Sequence, residues 1–178
     1  MARLKVIEPA QAEGKAKELF EGPLKDMHIN IFKGMANSSA VLEAYLGMSG
    51  ALSGGLLSTK ERELIMLVVG EANKCDYCLS AHTMIGKQAG LSEADTIAAR
   101  KGAATDPKHA ALCKFAAALH EKNGWVSDED LDAFRQAGYT DGHVAEVVAN
   151  YALSIFTNYF NHVNDTEVDL PAAPALTS

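Results

Sequence analysis

The sequence predicts an all-α protein, a compact arrangement of about seven to nine helices. Three observations carry that prediction. Almost every segment has helical apolar spacing. The breaks between segments bear helix caps and stops. No stretch shows a convincing period-2 alternation of a strand.

The elements follow from this punctuation. Pro9 opens a first helix through about Leu24, with Gly22 and Pro23 near its end. A short segment runs from about Asn30 to Met35, and Ser38 or Ser39 caps a helix through about Leu52, before the Gly54-Gly55 break. Ser58 to Glu61 is a capping box. The helix it starts, Thr59 to about Ala72, contains LIMLVV, the most apolar stretch of the chain, and is expected to be central. After a break at Asn73-Lys74, a helix from about Cys75 to Ala89 stops at Gly90, and Ser92 caps one through about Lys101. Asp106-Pro107 starts a helix that Asn123-Gly124 ends, Ser127 caps DEDLDAFRQA, and the last long helix runs from Thr140 or Asp141 to about His162.

Length and charge bound the function. The chain has 178 residues, which suits one domain that buries about two-thirds of its unfolded surface without needing a staple. Sixteen Lys and Arg against 23 Asp and Glu leave a net charge of −7, which speaks against nucleic acid or an anionic membrane as partner. The longest apolar run, Leu64 to Gly70, is far short of a membrane span, and the first twenty residues hold no signal-peptide core, so the expected location is cytoplasmic. In that reducing setting the Cys75-x-x-Cys78 pair is redox-active or metal-binding rather than a permanent staple. Cys113, in AALCKFAAAL, is a small core residue. No G-x-G-x-x-G and no Walker sequence is present, so no cofactor is expected.

The informative stretch is ELIMLVVGEANKCDYCLSAH. Cys75, Cys78 and His82 stand at i, i+3 and i+7 and fall within about 60° of one helical face. Backbone N–H groups at a helix start favour thiolate over thiol, and sulfurs three residues apart can bridge with little movement. A thiolate that attacks a peroxide becomes a sulfenic acid, and a neighbouring thiol condenses with it to a disulfide. His82 can take and return the protons near neutral pH. Glu63 lies within an apolar run, where an unpaired acid is costly, which makes it the candidate relay carboxylate. Glu71 competes, being closer in sequence to Cys75, but it sits near a helix end where an exposed acid is ordinary.

This segment resembles the core of the alkylhydroperoxidase D-like, or carboxymuconolactone decarboxylase-like, superfamily. Its peroxidase branch carries Glu, eleven residues, Cys-x-x-Cys, three residues, His; here these are Glu63, Cys75, Cys78 and His82. The stretch TDGHVAEVVANYALSIFTNYFNHVNDTEVDLP is similar to the C-terminal helix of peroxidase-related members. The resemblance spans about 37–171, leaving 1–36 as an N-terminal helical arm and 172–178 as a flexible tail of a single domain. It implies an all-α fold with the motif helix beside the Glu-bearing helix, and homo-oligomers from dimers to trimers and hexamers. It implies that Cys78 attacks a hydroperoxide substrate, that Cys75 resolves the sulfenic acid, that Glu63 and His82 shuttle protons, and that an external dithiol or protein reductant restores the pair. Helix-dipole electrostatics alone favour Cys75 as the lower-pKa thiol; the family pattern, followed here, favours Cys78.

The chain departs from the pattern at Tyr77, where some hydroperoxidases have a second His. The decarboxylase branch generally lacks the cysteine pair, so lactone decarboxylation fits poorly. Two other readings keep the same residues: a general thiol–disulfide oxidoreductase or redox sensor, and a non-catalytic oligomeric module whose Cys75, Cys78 and His82 hold zinc. A closed zinc site usually needs a fourth ligand, and no second C-x-x-C or H-x-x-x-H supplies one, so no metal is expected. Tyr77 is read as packing. His28, His109, His120, His143 and His162 are read as surface or capping residues, with His162 the one whose helix could approach a neighbouring subunit's pocket. The apolar positions of LIMLVV and VVANYALSIF are read as core or oligomer interface.

Overall fold

A computed structural model describes residues 1–176. Among them are nine α-helices, one 3-10 turn and no strand, as the caps and periodicity predict. The helices are α1 (Gly14–Glu21), α2 (Asn30–Met35), α3 (Ser39–Ser53), α4 (Thr59–Ala72), α5 (Asp76–Gln88), α6 (Glu93–Arg100), α7 (Pro107–Glu121), α8 (Asp128–Gln136) and α9 (Asp141–Asn164).

The hub is α4. Its LIMLVV stretch is buried on all sides, and it packs against α5, α6, α7 and α9. Its start is held from three directions. The Ser58 N–H and hydroxyl donate to Glu61 Oε2 at 2.9 and 2.7 Å, and the Glu61 N–H donates back to Ser58 Oγ. The Tyr139 hydroxyl donates to Glu61 Oε1 at 2.9 Å. Arg62 Nη1 donates to the carbonyls of Leu52, near the end of α3, and Leu57, just before α4.

Burial pushes the Glu61 carboxyl up, but the hydrogen bonds from Ser58 and Tyr139 and the charge of Lys108 outweigh it and hold the group below its ordinary 4.5. A carboxyl lowered in the folded state stabilises the fold above its ordinary value, and that contribution is lost as pH falls through the folded value. Glu61→Ala is expected to cost about 1–3 kcal/mol at neutral pH, since Tyr139 is left with a buried unpaired hydroxyl. Urea unfolding at pH 7 and again below pH 4.5 checks this. The gap between variant and wild type narrows at acid pH; an equal gap at both would refute the assignment.

Two departures from the sequence expectation are local. The first helix does not run unbroken from Pro9 to Leu24: a 3-10 turn covers Pro9–Gln11, and the chain turns at Gly14, whose φ of +51° is open to glycine and breaks any continuous helix. Ser38 occupies the cap position of α3, but its hydroxyl makes no cap hydrogen bond. The other starts are as expected, with side-chain caps from Ser58, Ser92, Asp106 and Ser127.

The apolar residues form two clusters. One surrounds α4 with residues of α5 to α9 and contains the stacked rings of Phe115, Phe134 and Tyr139. Cys113 belongs to it, fully buried, and burial pushes its thiol up to about 12. The second cluster is built by the N-terminal segment. Phe20, Leu24, Phe32 and Met35 pack with Cys75, Tyr77 and Cys78, so residues that the sequence suggests are an arm lie over the cysteine pair. Of the tail, Ala173 packs on the first cluster and the Pro174 carbonyl accepts from Arg100 Nη1, while 177 and 178 lie outside the described residues. Among the described residues, no helix is long and apolar enough to cross a membrane.

Candidate active site

The tight turn between α4 and α5 places the cysteines. Lys74 takes a left-handed φ of 56°, and the Cys75 N–H donates to the Gly70 carbonyl at 2.9 Å while the Lys74 N–H donates to that of Glu71. This is a Schellman closure of α4. It leaves Cys75 as the N-cap of α5, and Cys75 Sγ accepts the Cys78 N–H at 3.4 Å. Cys75 thus uses one of the unpaired N–H groups that every helix start offers. Cys75 and Cys78 are bridged in a disulfide, with Cα atoms 5.3 Å apart.

Two glycines let α4 and α5 lie close. A Cβ on Gly70 would touch Leu79 and Cys78, and one on Gly86 would meet Leu91 at 3.0 Å and the Glu63 Cβ at 3.6 Å. The helices therefore run antiparallel, with Gly70 of α4 beside Cys78 of α5, and Glu63 of α4 beside Gly86 and His82. Glu63 Oε2 lies 2.7 Å from His82 Nδ1. When Nδ1–H donates to the carboxylate, Nε2 is left as the acceptor, the arrangement that lets an imidazole act as a base. His82 and Cys78 are four residues apart on α5, so they share a face about 6 Å apart along the axis.

Glu63 and His82 line a cavity of about 300 Å³. Its walls are mainly apolar, with Leu24, Phe32, Leu46 and Leu153 among them, and the exposed Met27 stands at its edge. Tyr45 adds a phenol that burial, opposed by a hydrogen bond with Ser49 and assisted by the charge of Glu63, pushes up, so it remains a neutral donor. The cysteines are not part of these walls: Cys75 is 1% and Cys78 2% exposed, sealed in the bridged form beneath the N-terminal cluster.

The structure thus gathers Cys75, Cys78, His82 and Glu63 onto two adjoining helices. It does not bring Glu71 there; that side chain pairs with Arg100 Nε at 2.7 Å. Tyr77 points away from the cavity. Its hydroxyl accepts the Ile31 N–H and donates to Asp169 Oδ1 at 2.8 Å, fastening the motif helix to both chain ends. Burial, and then the Asp169 carboxylate, push its phenol far up, so it stays neutral. His162 is exposed and stacks on Tyr159; His143 caps α9, and His120 meets the Tyr151 hydroxyl at 3.1 Å. Among the described residues, no group of three or more His, Cys, Asp and Glu side chains is placed to hold a metal ion.

One neighbour of the sulfurs is absent from the sequence expectation. Asn161 of α9 is buried, and its Nδ2 lies 3.3 Å from Cys78 Sγ and 3.9 Å from Cys75 Sγ. The signal that could have shown it is the polar row Asn150, Ser154, Asn158 and Asn161 on a long, otherwise apolar helix.

Residues 39–121, which include the four motif residues, match the carboxymuconolactone decarboxylase family. Solved structures similar to the chain include a peroxidase-related protein with an alkylhydroperoxidase AhpD core from Ralstonia eutropha JMP134. It is 22% identical over 94% of this chain and 92% of that one, with a TM-score of 0.84. A peroxidase-related protein from Silicibacter sp. TM1040 is 23% identical over 93% and 89%, with a TM-score of 0.81. A cysteine-to-alanine variant of the debrominase Bmp8, in complex with 2,3,4-tribromopyrrole, is 17% identical over 95% and 94%, with a TM-score of 0.77. No curated protein matches the chain.

Proposed function

We propose that this chain, whose residues 39–121 match the carboxymuconolactone decarboxylase family and whose fold is AhpD-like, is an enzyme that reduces organic hydroperoxides by a Cys75–Cys78 dithiol/disulfide cycle. The observation that carries this reading is the bridged cysteine pair one helical turn from a histidine whose other neighbour is a buried carboxylate.

In the proposed cycle the Cys78 thiolate attacks one peroxide oxygen. An S–O bond forms, the O–O bond breaks, and the departing alkoxide takes a proton and leaves as the alcohol. Cys75 then attacks the Cys78 sulfenic acid, the S–S bond forms, and hydroxide leaves with a proton as water. Two thiols and one hydroperoxide become one disulfide, one alcohol and one water. His82, oriented by Glu63, carries the protons. The apolar cavity suits the organic part of the substrate, and the Tyr45 phenol can donate to its oxygen. An external dithiol or protein reductant returns the pair to thiols. A homo-oligomer in the cytoplasm belongs to the same reading, and the exposed Val148, Tyr159 and Val163 of α9 suit a subunit contact.

Mixing reduced protein with an organic hydroperoxide tests the reading. One equivalent is expected to consume two thiols, leave the Cys75–Cys78 bridge and release the alcohol. Thiols that survive a large excess of hydroperoxide, or that exchange readily with protein disulfides while ignoring it, would replace this reading with that of a thiol–disulfide oxidoreductase.

A further inference from the structure

Each sulfur of the pair has its own hydrogen-bond donor, and the two donors come from different parts of the fold. The start of α5 serves Cys75 through the Cys78 N–H at 3.4 Å. The last helix serves Cys78 through Asn161 Nδ2 at 3.3 Å, against 3.9 Å to Cys75 Sγ. We propose that Asn161 is a catalytic residue of the dithiol cycle, whose carboxamide N–H stabilises the Cys78 thiolate and so selects Cys78 over Cys75 as the attacking sulfur. The inference rests on the peroxidase reading for the cycle itself, but what it says about Cys78 can be measured without peroxide.

Three features support it. The carboxamide is 4% exposed, and among the described residues its Oδ1 has no hydrogen-bond partner and its side-chain hydrogen bonds go to the sulfurs alone. A buried amide with half its capacity unused does little to hold α9 in place, whereas an anionic sulfur is an acceptor that such an amide satisfies. Second, the position is registered to the motif. Asn73, at the C-cap of α4, donates to Asn158 Oδ1 at 3.0 Å, and Asn158 lies one turn before Asn161. The turn that delivers Cys75 therefore also fixes the helix that delivers the amide. Third, the chain contains its own comparison. Cys113 is equally buried, no donor reaches it among the described residues, and burial pushes its thiol up to about 12. A Cys78 thiol buried to the same degree would be as inert without a donor.

The test is a titration of Cys78 in reduced protein carrying Cys75→Ser, followed by thiolate absorbance, with and without Asn161→Leu or Asn161→Asp. Leu keeps the volume without the donor; Asp replaces the donor with an acceptor. The midpoint is expected to rise by about one pH unit or more with Leu and further with Asp, as expected when a thiolate loses a hydrogen bond or gains a nearby negative charge. In the otherwise wild-type chain, Asn161→Leu is expected to slow hydroperoxide reduction about tenfold at neutral pH and to recover as pH rises, a profile that a purely structural defect would not produce. Unmoved midpoints in both variants would overturn the proposal. If either variant loses its helical circular dichroism, the reduced wild-type protein decides: brief alkylation at neutral pH and peptide mapping should find Cys78 modified first, and Cys75 first would overturn it. A wild-type protein inert to hydroperoxide, with the Cys78 midpoint still moved by Asn161, would remove the peroxidase reading and leave the thiolate assignment standing.

Discussion

Cys78→Ser is expected to abolish hydroperoxide turnover, by a factor of a thousand or more, while Cys75→Ser still attacks once and stops at a sulfenic acid. A serine oxygen lacks the polarisability that lets sulfur open an O–O bond, and it can form neither the sulfenic acid nor the disulfide that the cycle needs. In Cys75→Ser the attacking thiol and its Asn161 donor remain, but no second sulfur can displace the hydroxyl from Cys78–SOH. Stopped-flow consumption of hydroperoxide, with dimedone trapping read by mass spectrometry, separates the outcomes. The reverse pattern, a trapped sulfenic acid on Cys75 in Cys78→Ser, would assign the attack to the helix start. Wild-type turnover in both single variants would dismiss the cycle altogether. Neither variant is expected to unfold the protein, because serine replaces cysteine with little change of volume beneath an intact N-terminal cover.

The second large effect falls on the proton relay. His82→Asn is expected to lower kcat/KM about 10²–10⁴-fold, the range that a positioned acid–base group supplies. Glu63→Gln keeps an acceptor for His82 Nδ1 but removes the charge, and should cost about one to two orders of magnitude within that range. Glu71→Gln is the control. Its carboxylate serves Arg100, not the cavity, so the variant should lose stability and keep its rate within about twofold. Steady-state rates and urea midpoints, measured side by side on the three variants, separate a catalytic loss from a structural one. Equal rate losses in Glu63→Gln and Glu71→Gln, or none in His82→Asn, would remove the relay from the mechanism.

The helix starts at Ser58, Ser92, Asp106 and Ser127 were legible in the sequence because a cap is an interaction between residues three apart. The centrality of α4 was legible because LIMLVV leaves no polar face to put outside. The choice of Glu63 over Glu71 was half legible. An acid inside an apolar run needs a partner, but only the antiparallel approach of α4 and α5, allowed by Gly70 and Gly86, turns that partner into His82.

Other features were closed to sequence. Residues 7–36 carry no motif, yet Phe20, Leu24, Phe32 and Met35 roof the cysteines. Tyr77 looks like a spacer between two sulfurs, and its purpose is set by Asp169, 92 positions away. The last helix misleads by its pattern. Val148, Tyr159 and Val163 have the residue types of a core and are exposed, while Asn150, Ser154, Asn158 and Asn161 have those of a solvent face and are buried. Binary patterning assumes that polar residues find water; here Asn161 meets the sulfurs, Asn158 meets Asn73 and Asn150 lines the cavity. By itself the sequence determined the helices, the spacing of Glu63, Cys75, Cys78 and His82 and the side chains available for chemistry, since caps, periods and short spacings act within a few turns. Only the tertiary structure decided which carboxylate meets the imidazole, which amide meets Cys78 and what seals the pair, because those contacts join residues far apart along the chain and depend on how closely helices can approach.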